Sequence, residues 1–162
     1  MQAGSFDEEA FFRSTAASGA RALLIGRRAL IALGLPLLTR DYDFWLHIDD
    51  IDIFNGALAT QDLYPSAPAR EARDQGRYVL ENDEHVDVLV ARAVPTNDGQ
   101  RVVFDDVWGR RRSLQTYPGV TIFMPCIEDL ILTKRFGSRP RDLDDIRMLE
   151  VLLEEERGQD RG

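Results

Sequence analysis

Between residues 21 and 48 the chain passes from a short apolar run to a helix-like stretch and then to an alternating one. Arg21 to Ile25 suits a buried strand, and Gly26 ends it with a turn. The Ala and Leu content of Arg28 to Leu33 predicts a helix, which Gly34 closes as a C-cap with Pro36 just beyond. Asp41 to Ile48 alternates and is rich in Tyr, Phe and Trp, which predicts a second strand. A strand, a turn, a helix and a strand in such close succession need a sheet with a helix packed beside it.

The rest of the chain continues in this manner. Phe6 to Ala20 reads as an amphipathic helix, and Asp49 or Asp50 can cap a helix reaching about Thr60. Tyr64 to Gly76 holds prolines, alanines and charges, and reads as a loop. Arg77 to Glu81 and His85 to Ala91 are strands around the turn Asn82-Asp83, and Pro95 to Gln100 is a second turn. Strands are expected over Arg101 to Val107, Ser113 to Thr116 and Val120 to Met124. Pro125 leads into a helix from Ile127 to Phe136. Pro140 sits at the first turn of another, from Arg141 to about Glu156, where a proline removes no helical hydrogen bond. The expected class is α/β (α+β), a mixed β-sheet flanked by helices. Residues 1–156 are expected to form one domain, with a core over about 20–124, C-terminal helices over about 127–156 and a frayed tail over 157–162.

Composition narrows the function. The 162 residues carry a formal charge of −8, which disfavours a generic nucleic-acid coat. Cys126 is the single cysteine, so an internal disulfide and a cysteine-built zinc site are excluded. Two histidines, His47 and His85, exclude a histidine-rich metal site. No run of about 18 apolar residues is present to span a membrane. The acidic start lacks the basic and apolar regions of a signal peptide. The expectation is a soluble, cytoplasmic protein with no membrane partner.

Three features bear chemistry. Gly26-Arg27-Arg28 lies between a strand and a helix, where backbone amides can approach a phosphate, although most such turns bind nothing. Asp41 and Asp43 are two apart on a strand, so they project to one side while Tyr42 and Phe44 face the other. Two adjacent carboxylates repel, and a divalent cation removes that penalty. The bland alternative is a strand-end cap and a solvated edge. Asp87 interrupts the apolar run His85 to Val90. It either joins the other two acids or stands on an exposed face opposite Val86, Val88 and Val90.

Residues 22–46, ALLIGRRALIALGLPLLTRDYDFWL, resemble the opening of the nucleotidyltransferase superfamily with the DNA polymerase β-like fold, and within it the AbiEii-like and related small bacterial nucleotidyltransferases. The resemblance rests on Gly26, Ala29-Leu30, Gly34, Thr39, Asp41 and Asp43. Asp87 matches the family's third acid. Leu130 to Asp142 is similar to the family's helix with a lysine followed by Arg-x-x-Asp, and the likeness runs over roughly residues 20–150. It implies a nucleoside triphosphate substrate with Mg²⁺ or Mn²⁺, attack of a hydroxyl on the α-phosphorus, and loss of pyrophosphate. It further implies that Asp41, Asp43 and Asp87 hold the metals. Gly26, Arg27 and Arg28 would contact the triphosphate, Thr39 would orient the turn, and Lys134 and Asp142 would serve the nucleotide from the C-terminal helices. The acceptor would be an RNA end such as tRNA or a protein hydroxyl, with an antitoxin as a further partner in a toxin–antitoxin or phage-defence role.

One departure stands out. The family carries Gly or Ser where this chain has Arg27. Arg27 either pairs a phosphate through its guanidinium or blocks the pocket, leaving a catalytically degenerate nucleotide- or protein-binding module. Lys134 is the single lysine among twenty basic residues. Asp142 is read as catalytic, as a partner of Lys134 or Arg139, or as a helix N-terminal charge. Asp144 and Asp145 are read as surface, and Arg110 to Arg112 as a turn.

Overall fold

The computed structural model describes residues 6–137 and 139–161. Helix α1 spans Glu8–Ala17, β1 Ala22–Ile25, α2 Gly26–Ala32 and β2 Tyr42–Leu46. A short 3-10 turn, Ile48–Asp50, leads into α3, Ile51–Ala59. Then come β3 (Tyr64–Pro65), α4 (Ala69–Gln75), β4 (Arg77–Glu81), β5 (His85–Leu89), β6 (Ala93–Pro95) and β7 (Arg101–Val103). The C-terminal part holds α5 (Phe104–Gly109), β8 (Arg112–Tyr117), β9 (Val120–Met124), α6 (Ile127–Lys134) and α7 (Pro140–Arg161). Seven strands form one sheet in the order β3-β4-β5-β2-β1-β9-β8, and β6 pairs with β7 in a separate hairpin. The sheet is mixed. β1 runs parallel to β9 and β2 parallel to β5, while the other neighbours are antiparallel. The expected mixed sheet flanked by helices is what the chain forms.

Each sheet face buries its own apolar set, because side chains alternate along a strand. Leu24, Phe44, Val86, Val88 and Ile122 pack with α1, α2 and α3 through Phe11, Leu30 and Phe54 in the larger core. Leu23 and Trp45 point to the other face and pack with Val102, Phe104 and Val107. The Trp45 indole donates to the Ala91 carbonyl at 2.8 Å, so its one polar atom is satisfied. The alternation that separates Tyr42 and Phe44 from Asp43 is therefore real, and it puts Asp43 on the smaller-core face.

α2 ends as the sequence implies. Gly34 takes φ +93°. Its N–H donates to Ile31 and that of Leu35 to Leu30, so the helix's last carbonyls are satisfied by a left-handed cap.

Four expectations change. Residues 64–76 are not a loop throughout: they hold β3 and α4. The Ala69-to-Gln75 stretch is composed of good helix formers, and Gly76 at φ +78° stops it. The strand expected over Arg101–Val107 gives way at Phe104 to α5, which buries Phe104 and Val107 one helical turn apart. The helix expected to end near Glu156 continues to Arg161, through residues expected to fray. Asp50 stands at the N-cap of α3, but its side chain makes no capping bond; it accepts three hydrogen bonds from the Arg21 backbone and guanidinium at 2.8–3.0 Å. No helix among the described residues is long and apolar enough to cross a membrane.

Candidate active site

The turn after β1 and the first residues of β2 meet at one point. Ile25 pairs in register with Asp43, and Gly26 follows with φ +69°. A Cβ on Gly26 would lie 2.5 Å from Asp43 Oδ2. Glycine is required there twice over, by backbone conformation and by the carboxylate that occupies the space. On its other side Asp43 is in register with Asp87 of the parallel β5. Neighbouring strands lie about 4.8 Å apart, so the two carboxylates rise side by side from one face. Burial raises the Asp43 pKa to about 6, with added repulsion from Asp87 and Asp41, against the pull of Lys134 and Arg139.

Asp41 stands in the loop just before β2, exposed. Its backbone N–H donates to Thr39 Oγ1 at 3.1 Å, so Thr39 orients the segment carrying the first acid. Arg28 does not approach the acids. Its guanidinium donates to the Thr39 carbonyl at 2.9 Å, lies 3.4 Å from Glu8 Oε2 and covers the Tyr42 ring at 4.2 Å.

Arg27 is also engaged elsewhere. It forms a fork to Asp145 at 3.2 and 3.3 Å, and the Lys134 ammonium lies 2.8 Å from the same carboxylate. Asp145 is fully buried, and Lys134 retains only 7% exposure. The surface reading of Asp145 is thus overturned. Burial acts to raise its pKa, but hydrogen bonds from Lys134 and Arg27 prevail and hold it below the usual carboxylate range. Asp142 is buried and pairs with Arg139, accepting from its backbone N–H and its guanidinium at 3.1–3.3 Å. Of the alternatives for Asp142, the pairing with Arg139 is observed, and so is the helix N-terminal charge, because Asp142 lies in the first turn of α7. Arg110 pairs with the buried Asp129, Arg111 stacks on Trp108, and Arg112 meets Glu156.

Asp43 and Asp87 open into a cleft of about 610 Å³. Ile25, Val79 and Leu89 line it from the sheet, Arg77 stands on β4, and Phe136 and Arg139 come from the segment between α6 and α7. This size is within the usual range of a small-molecule site. The donor set facing it is carboxylate oxygen, which suits a hard divalent cation such as Mg²⁺. The unrelieved charge on Asp43 is what such an ion would remove. Among the described residues, no three His, Cys, Asp or Glu side chains are grouped to hold one ion as they stand.

The structure therefore brings together Gly26, Asp43 and Asp87, with Asp41 at the rim. It ties Arg27 and Lys134 to Asp145, and it turns Arg28 away. Asp145 and Arg139 were missed as site residues. The signal for Asp145 lay in the period of α7: Asp142, Asp145, Ile146 and Leu149 recur at helical spacing and are all buried.

The fold is that of the nucleotidyltransferases. A Thermotoga maritima protein assigned as a nucleotidyltransferase superposes with a TM-score of 0.57 at 12% identity, covering 93% of this chain and 91% of its own. The antibiotic-resistance factor ANT(2'')-Ia gives 0.59 at 11% identity, covering 97% and 95%. The lincosamide antibiotic adenylyltransferase LnuA, solved with lincomycin bound, gives 0.60 at 15% identity, covering 91% and 98%. No family model and no curated protein matches the sequence.

Proposed function

We propose that this protein is an Mg²⁺-dependent nucleotidyltransferase that moves a nucleoside monophosphate from a nucleoside triphosphate to a hydroxyl acceptor. The observation that carries the reading is the Gly26–Asp43–Asp87 junction. There a glycine makes room for one carboxylate and strand register sets a second beside it, at the mouth of a cleft in a nucleotidyltransferase fold.

Asp41, Asp43 and Asp87 would hold the metal. Bound there, Mg²⁺ supplies charge neutralisation for in-line transfer at the α-phosphorus. Asp41, exposed on its loop, would complete the set from the rim. Asp87 stands at the open side of the pair and would accept the proton of the attacking hydroxyl. Arg139, above the cleft, would meet phosphate. Lys134 and Arg27 act chiefly through Asp145, which fixes the C-terminal helices against the Gly26 turn. A second reading, a nucleotide-binding module without transfer, is favoured by this engagement of Arg27 and Lys134, since it leaves fewer cations for a triphosphate. The acceptors to try are an antibiotic hydroxyl, as the names of two fold relatives suggest, and an RNA end or protein hydroxyl, as the AbiEii-like resemblance implies. An antitoxin partner belongs to the last case.

The test is transfer of label from α-³²P ATP, GTP, CTP and UTP with Mg²⁺ to aminoglycosides, lincosamides, total RNA and total protein. Label on one acceptor class, lost in Asp43→Asn, is the expected result. Nucleotide binding without transfer to any acceptor would favour the binding module.

A further inference from the structure

Helix α1 lies on the larger-core face, opposite the cleft, yet its first residue gathers three side chains, two of which bear on the segment carrying the acids. Glu8 accepts from the Tyr42 hydroxyl at 2.6 Å and from the Tyr117 hydroxyl at 2.7 Å, and Arg28 lies 3.4 Å from it. Tyr42 is the residue between Asp41 and Asp43. Arg28 stacks on the Tyr42 ring and donates at 2.9 Å to the carbonyl of Thr39. Thr39 in turn accepts the backbone N–H of Asp41. Two routes thus run from Glu8 to Asp41: one through the Tyr42 side chain to the strand, the other through Arg28 and Thr39 to the loop.

We propose that the Glu8–Arg28–Tyr42 bracket positions Asp41 against Asp43, so that Arg28 governs metal affinity from behind the strand and is not a phosphate ligand. This rests on the metal-holding role proposed for the three acids. The geometry explains the choice of residues. A planar fork can address the Thr39 carbonyl and Glu8 at once while its face covers Tyr42; a lysine offers one point charge and no such face. Arg28 is largely buried, with only 16% of its side chain exposed, so it is not placed to be recruited by a ligand without leaving these partners. Tyr42 is itself buried, and its hydroxyl donates to Glu8 at 2.6 Å. Outer groups that orient metal ligands commonly account for about 10–100-fold in affinity.

The test reads Mn²⁺ affinity without nucleotide, from the free-ion EPR signal. It compares wild type, Arg28→Met, Arg28→Lys, Tyr117→Phe and Asp43→Asn, at a temperature where circular dichroism shows each one folded. The expected result is a loss of about tenfold or more in both Arg28 variants, with Tyr117→Phe, which spares the route to Asp41, close to wild type. Should Arg28→Met fail to fold, Arg28→Lys decides. A lysine variant with wild-type Mn²⁺ affinity would overturn the proposal, since charge alone would then suffice. Wild-type protein that binds Mn²⁺ no better than Asp43→Asn would overturn the metal site itself. Asp43-dependent binding with unaffected Arg28 variants would leave that site standing and remove only the bracket.

Discussion

Asp43 is held in a state that opposes its own charge. Its pKa is raised to about 6, above the ordinary 3.8, first by burial and then by Asp87 and Asp41. The folded state therefore favours the protonated form. Stability from this group is fully present below pH 3.8 and is lost as pH rises through about 6. Asp43→Asn should accordingly be more stable than wild type at pH 7.5, by about 1–3 kcal/mol, and equal to it near pH 4. Thermal melts across that range check the sign, and a gap that does not widen with pH would contradict it. Transfer activity, which needs the ionised carboxylate, should rise through the same interval. Gly26→Ala meets two obstacles at once, φ +69° and a 2.5 Å approach to Asp43 Oδ2. It should cost roughly 1–3 kcal/mol, the usual charge for a residue forced into a sparse backbone region, and abolish label transfer. A melt and one assay on the same preparation test both.

At the scale of elements, α7 is joined to the Gly26 turn by a single carboxylate. Asp145 offers its two oxygens to Arg27 and Lys134, which come from α2 and α6. Breaking a buried pair leaves a charge without compensation, so Asp145→Ala should lose about 3–5 kcal/mol in urea unfolding. Asp144→Ala, one residue away and exposed, should lose less than about 0.5 kcal/mol. The contrast also shows where the sequence was legible. β1, α2, β2 and β5 could be read because their apolar period, glycines and prolines act locally. The pairing of Asp43 with Asp87 was foreseen only as a condition, because which strands become neighbours is set by the whole sheet. Asp145 was hidden because a charged residue between Asp144 and Ile146 looks solvated until α7 is laid against Lys134. Arg27 and Arg28 were legible as basic groups near the turn, but not the carboxylate each would find. α4 was masked by its flanking prolines, and the strand-like run Arg101-Val102-Val103 concealed the start of α5.

Across the whole molecule, the sheet separates two tasks. The larger core, on the face of Phe44 and Val88, anchors α1, α2 and α3, while the opposite face carries the cleft, whose wall residue Phe136 packs edge-on against Trp45. Both tryptophans of the chain, Trp45 and Trp108, are on that second face. Their emission should therefore respond to occupancy of the cleft and to unfolding of its walls. A ligand that binds only the folded state stabilises it by an amount fixed by its saturation, about 2.7 kcal/mol at a hundredfold excess over Kd. For a chain of this size that corresponds to a rise in Tm of roughly 5–10 °C. Nucleoside triphosphate with Mg²⁺ should give such a rise, with a change in tryptophan emission, and the same nucleotide with EDTA should give a smaller one. In Asp43→Asn the two should converge, because the neutral amide no longer supplies the charge that couples ion and phosphate. A shift in the variant as large as in wild type would mean that the nucleotide is held without the acids. The cleft would then be a binding site separate from the chemistry proposed for it.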